Sequence, residues 1–309
     1  MIIHEGYENL DLVSPVVTLG IFDGVHLGHR SLLNTLILRA CEEKGESVVI
    51  TFNPHPRLVL QHNHKGLSFL STENEKASLL REAGIDHLIV IEFNKSFSNM
   101  EACEFVHKVL AEKIKTRHLI VGYDHHFGKS GAGNFEMIKK CAQSLNFIVE
   151  QVKGLQSSSG VVSSTAIRKA LLGGKLDEAN NWLGYSYSIY GRIVEGKKIG
   201  RSLGFPTANI KPDYEYKLIP GDGVYAVIVK LDGKNFPGML SIGKNPTVNS
   251  ENTNRTIEVH ILNFDYDIYG RDITVVFRKR LRDEIRYDSL EELTRQMNRD
   301  KEQTLKLLT

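Results

Sequence analysis

The chain has 309 residues, 41% hydrophobic and 25% charged, with 39 lysines and arginines against 37 aspartates and glutamates. That is the composition of a soluble globular protein with material for one large or two ordinary domains. A net charge of +2 excludes the strongly basic signature of nucleic-acid or membrane-surface binding.

The N-terminus, Met1-Ile2-Ile3-His4-Glu5-Gly6, lacks an apolar signal core, and no apolar run approaches a membrane span. Cys41, Cys103 and Cys141 are widely spaced and contain no CxxC. They are expected to be reduced, in a cytoplasmic protein. The expected partners are small molecules, with no nucleic acid and no membrane, and the chain is expected to be a monomer or weak homo-oligomer.

Up to about Trp182, short apolar runs alternate with helical stretches. Strands are predicted at Val16–Phe22, Val48–Phe52, Leu88–Phe93, Leu119–Gly122 and Phe147–Val152, with an amphipathic helix from Glu101 to Ile114. Such alternation implies a parallel sheet covered by helices, with ligands beyond the carboxyl ends of the strands. After Gly184 the runs Tyr187–Val194, Val224–Leu231, Met239–Ile242, Thr256–Leu262 and Ile273–Phe277 follow one another without helices. They predict an antiparallel barrel or sandwich. Ser289 with Glu292 opens a terminal helix. The domains are therefore read as 1–184 and 185–309.

Six motifs carry the chemistry. The first is Gly20-x-Phe22-Asp23-Gly24-x-His26-x-Gly28-His29, between a strand and a helical pattern. Helix N-termini gather anions, and two imidazoles there suit charge building up on a transferring phosphoryl group. The alternative reading is a packed histidine pair. Zinc ligation by His26, His29, His125 and His126 lacks a cysteine or carboxylate partner at ligand spacing. The second, Asn53-Pro54-His55-Pro56, ends a strand in a stiff turn. The third, Gly122-Tyr123-Asp124-His125-His126-Phe127-Gly128-Lys129-Ser130, is not a P-loop, because Tyr123 stands where the motif needs glycine.

The fourth, Ser163-Ser164-Thr165-Ala166-Ile167-Arg168, puts hydroxyls and an arginine at a helix start. It serves equally as a cap or as a triphosphate clamp. The fifth contains Gly191, Gly196, Gly200, Arg201 and Gly204-Phe205-Pro206-Thr207-Ala208-Asn209. Its glycines suit turns or a phosphate, and Thr207 and Asn209 offer oxygens to a hard cation. In the sixth, Ile257-Glu258-Val259-His260-Ile261-Leu262, Glu258 faces away from the apolar residues.

The first and fourth motifs resemble the HxGH and SSTxIR signatures of nucleotidyltransferases, and Phe22-Asp23-Gly24 resembles the flavin adenylyltransferase branch. The third resembles that branch's GxDFxFG element, departing from it at His125. The fifth and sixth resemble the riboflavin kinase signature, with GFPTAN and ExHxL intact. Over nearly its whole length the chain resembles the bifunctional prokaryotic riboflavin kinase/FAD synthetases. That resemblance implies a Rossmann-like nucleotidyltransferase domain followed by a Greek-key barrel with a terminal helix. It implies riboflavin phosphorylation to FMN and adenylylation of FMN to FAD, with ATP and Mg²⁺.

The resemblance further implies that Glu258 acts as base and that His26 and His29 stabilise adenylyl transfer. Gly20, Phe22, Asp23, Gly24, Gly28, Asn53, Ser163, Ser164, Thr165 and Arg168 would contact ATP or its phosphates. Asp124 and Arg282 would contact flavin. Gly196, Gly200, Arg201, Gly204 and Pro206 would hold the kinase nucleotide, and Thr207 and Asn209 the metal. Three other readings stay open at this point. One is a kinase alone with a non-catalytic nucleotidyltransferase-like domain, another a non-enzymatic flavin or RNA regulator, and the last a nucleotidyltransferase for another small acceptor.

Overall fold

The inner strands of the first half of the chain are buried on both faces. The computed structural model describes residues 1–123, 127–129, 133–157, 160–195, 204–244 and 255–308. They divide into two compact units, Met1–Ser164 and Thr165–Thr309.

The first unit holds strands β1 (Ile2–Glu5), β2 (Val16–Leu19), β3 (Ser47–Asn53), β4 (His87–Glu92), β5 (His118–Gly122) and β6 (Ile148–Val152). They pair in parallel in the order β1-β4-β3-β2-β5-β6. The connections include α1 (Leu27–Glu42), α2 (Pro56–Leu60), α3 (Glu73–Glu82), α4 (Lys95–Ser98), α5 (Ala102–Glu104) and α6 (Phe135–Ala142). A short hairpin, β7 (Gln156–Ser157) and β8 (Gly160–Val161), follows β6.

Successive strand residues point to opposite faces, so the sheet feeds two cores. Val17, Leu19, Val48, Ile50, Ile89 and Ile91 pack with Val106, Leu110 and Ile138 on one side. Val16, Val49, Leu88 and Ile120 pack with Leu33, Leu36 and Leu80 on the other.

Two expectations change here. The stretch expected as one α-helix from 101 to 114 is α5 continued by a π-helix, Phe105–Lys113. Phe105, Val106, Val109, Leu110 and Ile114 are still buried as expected, because spacings of four and five also stack on the wider turn. The cysteines are not all reduced. Cys103 and Cys141 form a disulfide with Cα atoms 5.5 Å apart, and Cys41 is free and exposed. Parallel topology hid this pairing from the sequence, since it brings α5 and α6 together across 38 residues.

In the second unit, α7 (Ser164–Leu172) and α8 (Leu176–Leu183) lead into the barrel. Asn180 fixes α8 to it. Its side-chain oxygen accepts from the Tyr187 backbone N–H at 2.8 Å, and its amide donates to the Phe277 carbonyl at 3.2 Å. The barrel strands are β9 (Ser188–Val194), β10 (Ala208–Pro212), β11 (Gly223–Leu231), β12 (Lys234–Lys244), β13 (Arg255–Ile261) and β14 (Asp272–Arg282). They close antiparallel in the order β10-β13-β12-β11-β14-β9. Closure leaves no free edge. The terminal helix α9 (Leu290–Leu308) lays Met297 and Leu305 on Phe205, Met239 and Leu262.

Candidate active sites

The chain leaves β2 through a strained turn. Phe22 has φ +51°, Gly24 +79° and Val25 +36°, the last rare for a β-branched residue. Asp23 holds this turn. Its buried carboxylate accepts from the backbone N–H groups of Leu70 (2.8 Å) and Ser71 (3.0 Å), and Ser71 Oγ accepts from Gly24 N–H at 3.0 Å. The Asp23 carbonyl accepts from Ser164 Oγ at 2.9 Å. Ser164 of the fourth motif thus meets the turn of the first.

His26 caps α1, its Nδ1 accepting from the His29 N–H at 3.3 Å. The two imidazoles stack at 3.7 Å, and the edge of Phe22 meets His29 at 5.1 Å. A side chain at Gly28 would come within 3.1 Å of the His26 ring, so the glycine between the histidines keeps the stack possible. His29 Nδ1 is buried without a hydrogen-bond partner. Burial, then the neighbouring His26 and Lys76, hold the His29 pKa well below the usual histidine value.

Lys76 was not singled out by the sequence. It is 3% exposed, with Nζ 3.1 Å from Glu73 and 3.4 Å from Thr51 Oγ1. Its only sequence signal is a lysine one helical turn before Leu80, on the same face. Ser163 is half-buried. Thr165 and Arg168 lie in the first turn of α7, joined by an Nη2–Oγ1 contact of 3.4 Å.

Beyond the carboxyl ends of β2 to β5 a cleft of about 840 Å³ opens. It sits where the strand order reverses, between β2 and β5, as ligand sites do in open parallel sheets. Gly20, Ile21, Phe22 and His29 line one wall, and Ser98, Asn99 and Met100 another. Phe52, Phe93, Phe97, Phe105 and Phe127 form its apolar interior, linked ring to ring at 5.4–6.0 Å. Arg57 and Lys129 supply cations. The sequence signalled Phe52 and Phe93 only as strand ends, Phe105 as part of a helix face and Phe127 as part of the third motif, and it did not single out Phe97. Asp23, Gly24, Gly28 and Asn53 do not line the cleft. Asp23 builds the turn, and the Asn53 carbonyl accepts from Phe93 N–H at 3.0 Å. Asp124, His125 and His126 lie outside the described residues.

In the barrel, β10 and β13 place Asn209 opposite Glu258. Thr207 Oγ1 donates to Glu258 Oε2 at 3.2 Å. Ala208, Ile210, Ile257, Val259 and Ile261 are buried, so alternation turns Thr207, Asn209 and Glu258 to the other face. Phe205 anchors the approach to β10 in the core. The Pro206 carbonyl binds His260 Nδ1 at 2.7 Å, and burial lowers the pKa of that histidine.

Gly204 takes φ +78°. A cavity of about 460 Å³ adjoins Pro206, Thr207 and the turn Phe264–Tyr269. Gly196, Gly200 and Arg201 lie outside the described residues. Arg282 is engaged by Asp300 of α9 at 2.7 and 3.0 Å. Among the described residues no group of three or more His, Cys, Asp or Glu is arranged to hold a metal ion, and no helix is long and apolar enough to cross a membrane.

The chain matches the family model for FAD synthetase over residues 10–166 and that for riboflavin kinase over 183–308. It is 36% identical over 292 residues to a bifunctional riboflavin kinase/FMN adenylyltransferase of Listeria monocytogenes, covering 94% of this chain and 92% of the relative. To the enzyme of that name from Escherichia coli K12 it is 37% identical, covering 92% and 90%. Its fold is also similar to a solved Streptococcus pneumoniae structure described as a macrolide-efflux protein, with TM-score 0.88, 31% identity and 98% coverage of both chains. The chain belongs to the bifunctional riboflavin kinase/FMN adenylyltransferases, which make FMN from riboflavin and FAD from FMN.

Proposed function

We propose that the two reactions occupy the two sites separately, residues 1–184 carrying adenylyl transfer and 185–309 phosphorylation. The observation that carries the kinase half is the Thr207–Glu258 contact, with Asn209 paired opposite. Glu258 takes the proton from the primary ribityl hydroxyl as its oxygen bonds to the γ-phosphorus of ATP and ADP leaves. Thr207 and Asn209 offer a hydroxyl and an amide oxygen that would hold Mg²⁺, and the ion would supply charge neutralisation for phosphoryl transfer. Gly204 and Pro206, with Gly196, Gly200 and Arg201, contact the nucleotide, and Arg282 serves the flavin.

In the adenylyl-transfer half, the aromatic cleft takes the isoalloxazine of FMN, with Asp124 as a further flavin contact. A phosphate oxygen of FMN attacks the α-phosphorus of a second ATP, and pyrophosphate leaves. FMN phosphate is already anionic at neutral pH, so alignment and charge stabilisation matter more than a base. His26, His29 and the α1 N-terminus stabilise that charge. Ser163, Ser164, Thr165 and Arg168 hold the leaving pyrophosphate. Gly20, Phe22, Asp23, Gly24, Gly28 and Asn53 shape the nucleotide wall.

The protein is assigned to the cytoplasm as a monomer or weak homo-oligomer, and its near-neutral charge supports small molecules rather than nucleic acid as its partners. Glu258→Gln tests the division of labour. FMN formation should fall by about 10²–10⁴ while FMN adenylylation persists, and equal loss of both would refute separate sites.

A further inference from the structure

The disulfide brackets a wall of the cleft. Cys103 is exposed on α5, and Cys141 is buried in α6. Between them in the chain run Phe127, Gly128 and Lys129, which line the cleft beside Ser98, Asn99 and Met100. The two sides are already in register. Lys129 N–H donates to the Met100 carbonyl at 3.1 Å, and Phe127 pairs with Gly133. Ala102, next to Cys103, backs this wall so closely that a side chain at Gly128 or Gly133 would reach it at 3.0 or 2.9 Å. The S–S bond therefore fastens α5, which follows Ser98–Met100, to α6, which follows Phe127–Lys129. In a cytoplasmic protein a disulfide is ordinarily transient, catalytic or redox-sensing rather than permanent, and nothing in either reaction uses these sulfurs.

We infer that Cys103 and Cys141 form a reversible thiol–disulfide site that sets how tightly the cleft holds FMN. A low-molecular-weight disulfide is the two-electron oxidant. The exposed Cys103 thiolate attacks one of its sulfurs and expels one thiol, leaving a mixed disulfide. The Cys141 thiolate then attacks the Cys103 sulfur and expels the second thiol. Two protein thiols become one S–S bond, RSSR becomes two RSH, and the two protons pass to the departing thiolates. Oxidation clamps the wall in its binding arrangement, and pre-organisation strengthens binding. Reduction releases α5 from α6.

The inference rests on the cleft being the FMN site, and the experiment separates the two. The full-length enzyme is equilibrated in glutathione buffers from fully reducing to fully oxidising. FMN adenylylation and riboflavin phosphorylation are then measured, with thiol counting by mass spectrometry. The KM for FMN should be at least about threefold lower in the oxidised enzyme, with riboflavin phosphorylation unchanged. Cys103→Ser and Cys141→Ala should stay at the reduced value, and Cys41→Ser should keep the response. Thiols that persist in the most oxidising buffer, a KM that ignores the redox state, or a response surviving in Cys103→Ser would each overturn the inference. Met100→Glu, assayed under reduction, should raise the KM for FMN. No effect of that variant would remove the cleft reading and the redox inference with it. An effect of that variant without any redox response would remove the redox inference alone.

Discussion

At the scale of single residues, two side chains act at or near the turn after β2 without lining the cleft. Asp23 satisfies two buried backbone donors, each costing about 1–3 kcal/mol when orphaned. Asp23→Ala should lower the melting temperature clearly, whereas Asp23→Asn, which keeps an acceptor oxygen, should not. Equal behaviour of the two variants in a thermal melt would mean that the charge itself matters. Lys76 is the second. Its buried ammonium, with His26, faces His29 and disfavours a proton there. In Lys76→Met the His29 imidazole should titrate at higher pH than in the parent, read from its ring resonances by NMR. An unchanged titration would detach Lys76 from the site.

At the scale of elements, the sequence carried most of the fold because burial and alternation carried it. The strand runs at 16, 48, 88, 119 and 147 all appear, shifted by a residue or a few at their ends. What was not legible has physical reasons. β1 pairs at the sheet edge with Ile2 and Ile3 exposed, so it shows no burial pattern. β10 spans only Ala208–Pro212 and is defined by its partners rather than by its own run. The π winding of 105–113 preserves the apolar face that an α-helix would have shown.

The motifs named His26 and His29, which the structure stacks, and Thr207, Asn209 and Glu258, which it brings together on β10 and β13 and the approach to β10. Lys76 and the aromatic lining depend on tertiary packing that no local pattern encodes. The same holds for the Arg282–Asp300 pair, which clasps α9 to β14 while Asp300 is 3% exposed. Breaking one member of a buried pair costs about 3–5 kcal/mol. Asp300→Asn should therefore lower the barrel's unfolding temperature, with the first unit's transition unmoved in calorimetry. A shift confined to the first unit would contradict that placement.

At the scale of the whole molecule, the two units differ in how many histidines with lowered pKa they carry among the described residues. Burial lowers the pKa of His4, His29 and His118 in the first unit and of His260 in the second. A histidine whose folded pKa is depressed binds fewer protons folded than unfolded. Its contribution to stability is complete above the unfolded value near 6.5. It is lost progressively as pH falls from there toward the folded pKa. Acidification from pH 7.5 to 5.5 should thus destabilise the first unit more than the second in calorimetric scans. Greater loss in the barrel would show that these histidines do not govern the acid response.

If each reaction has its own site, two variants that each lack one activity should complement one another when mixed. Glu258→Gln alone should leave riboflavin unchanged, and His29→Ala alone should accumulate FMN. With ATP and Mg²⁺, an equimolar mixture should convert riboflavin through FMN to FAD, resolved by chromatography over time. A mixture that makes no FAD, or a single variant that loses both reactions, would contradict two separable sites.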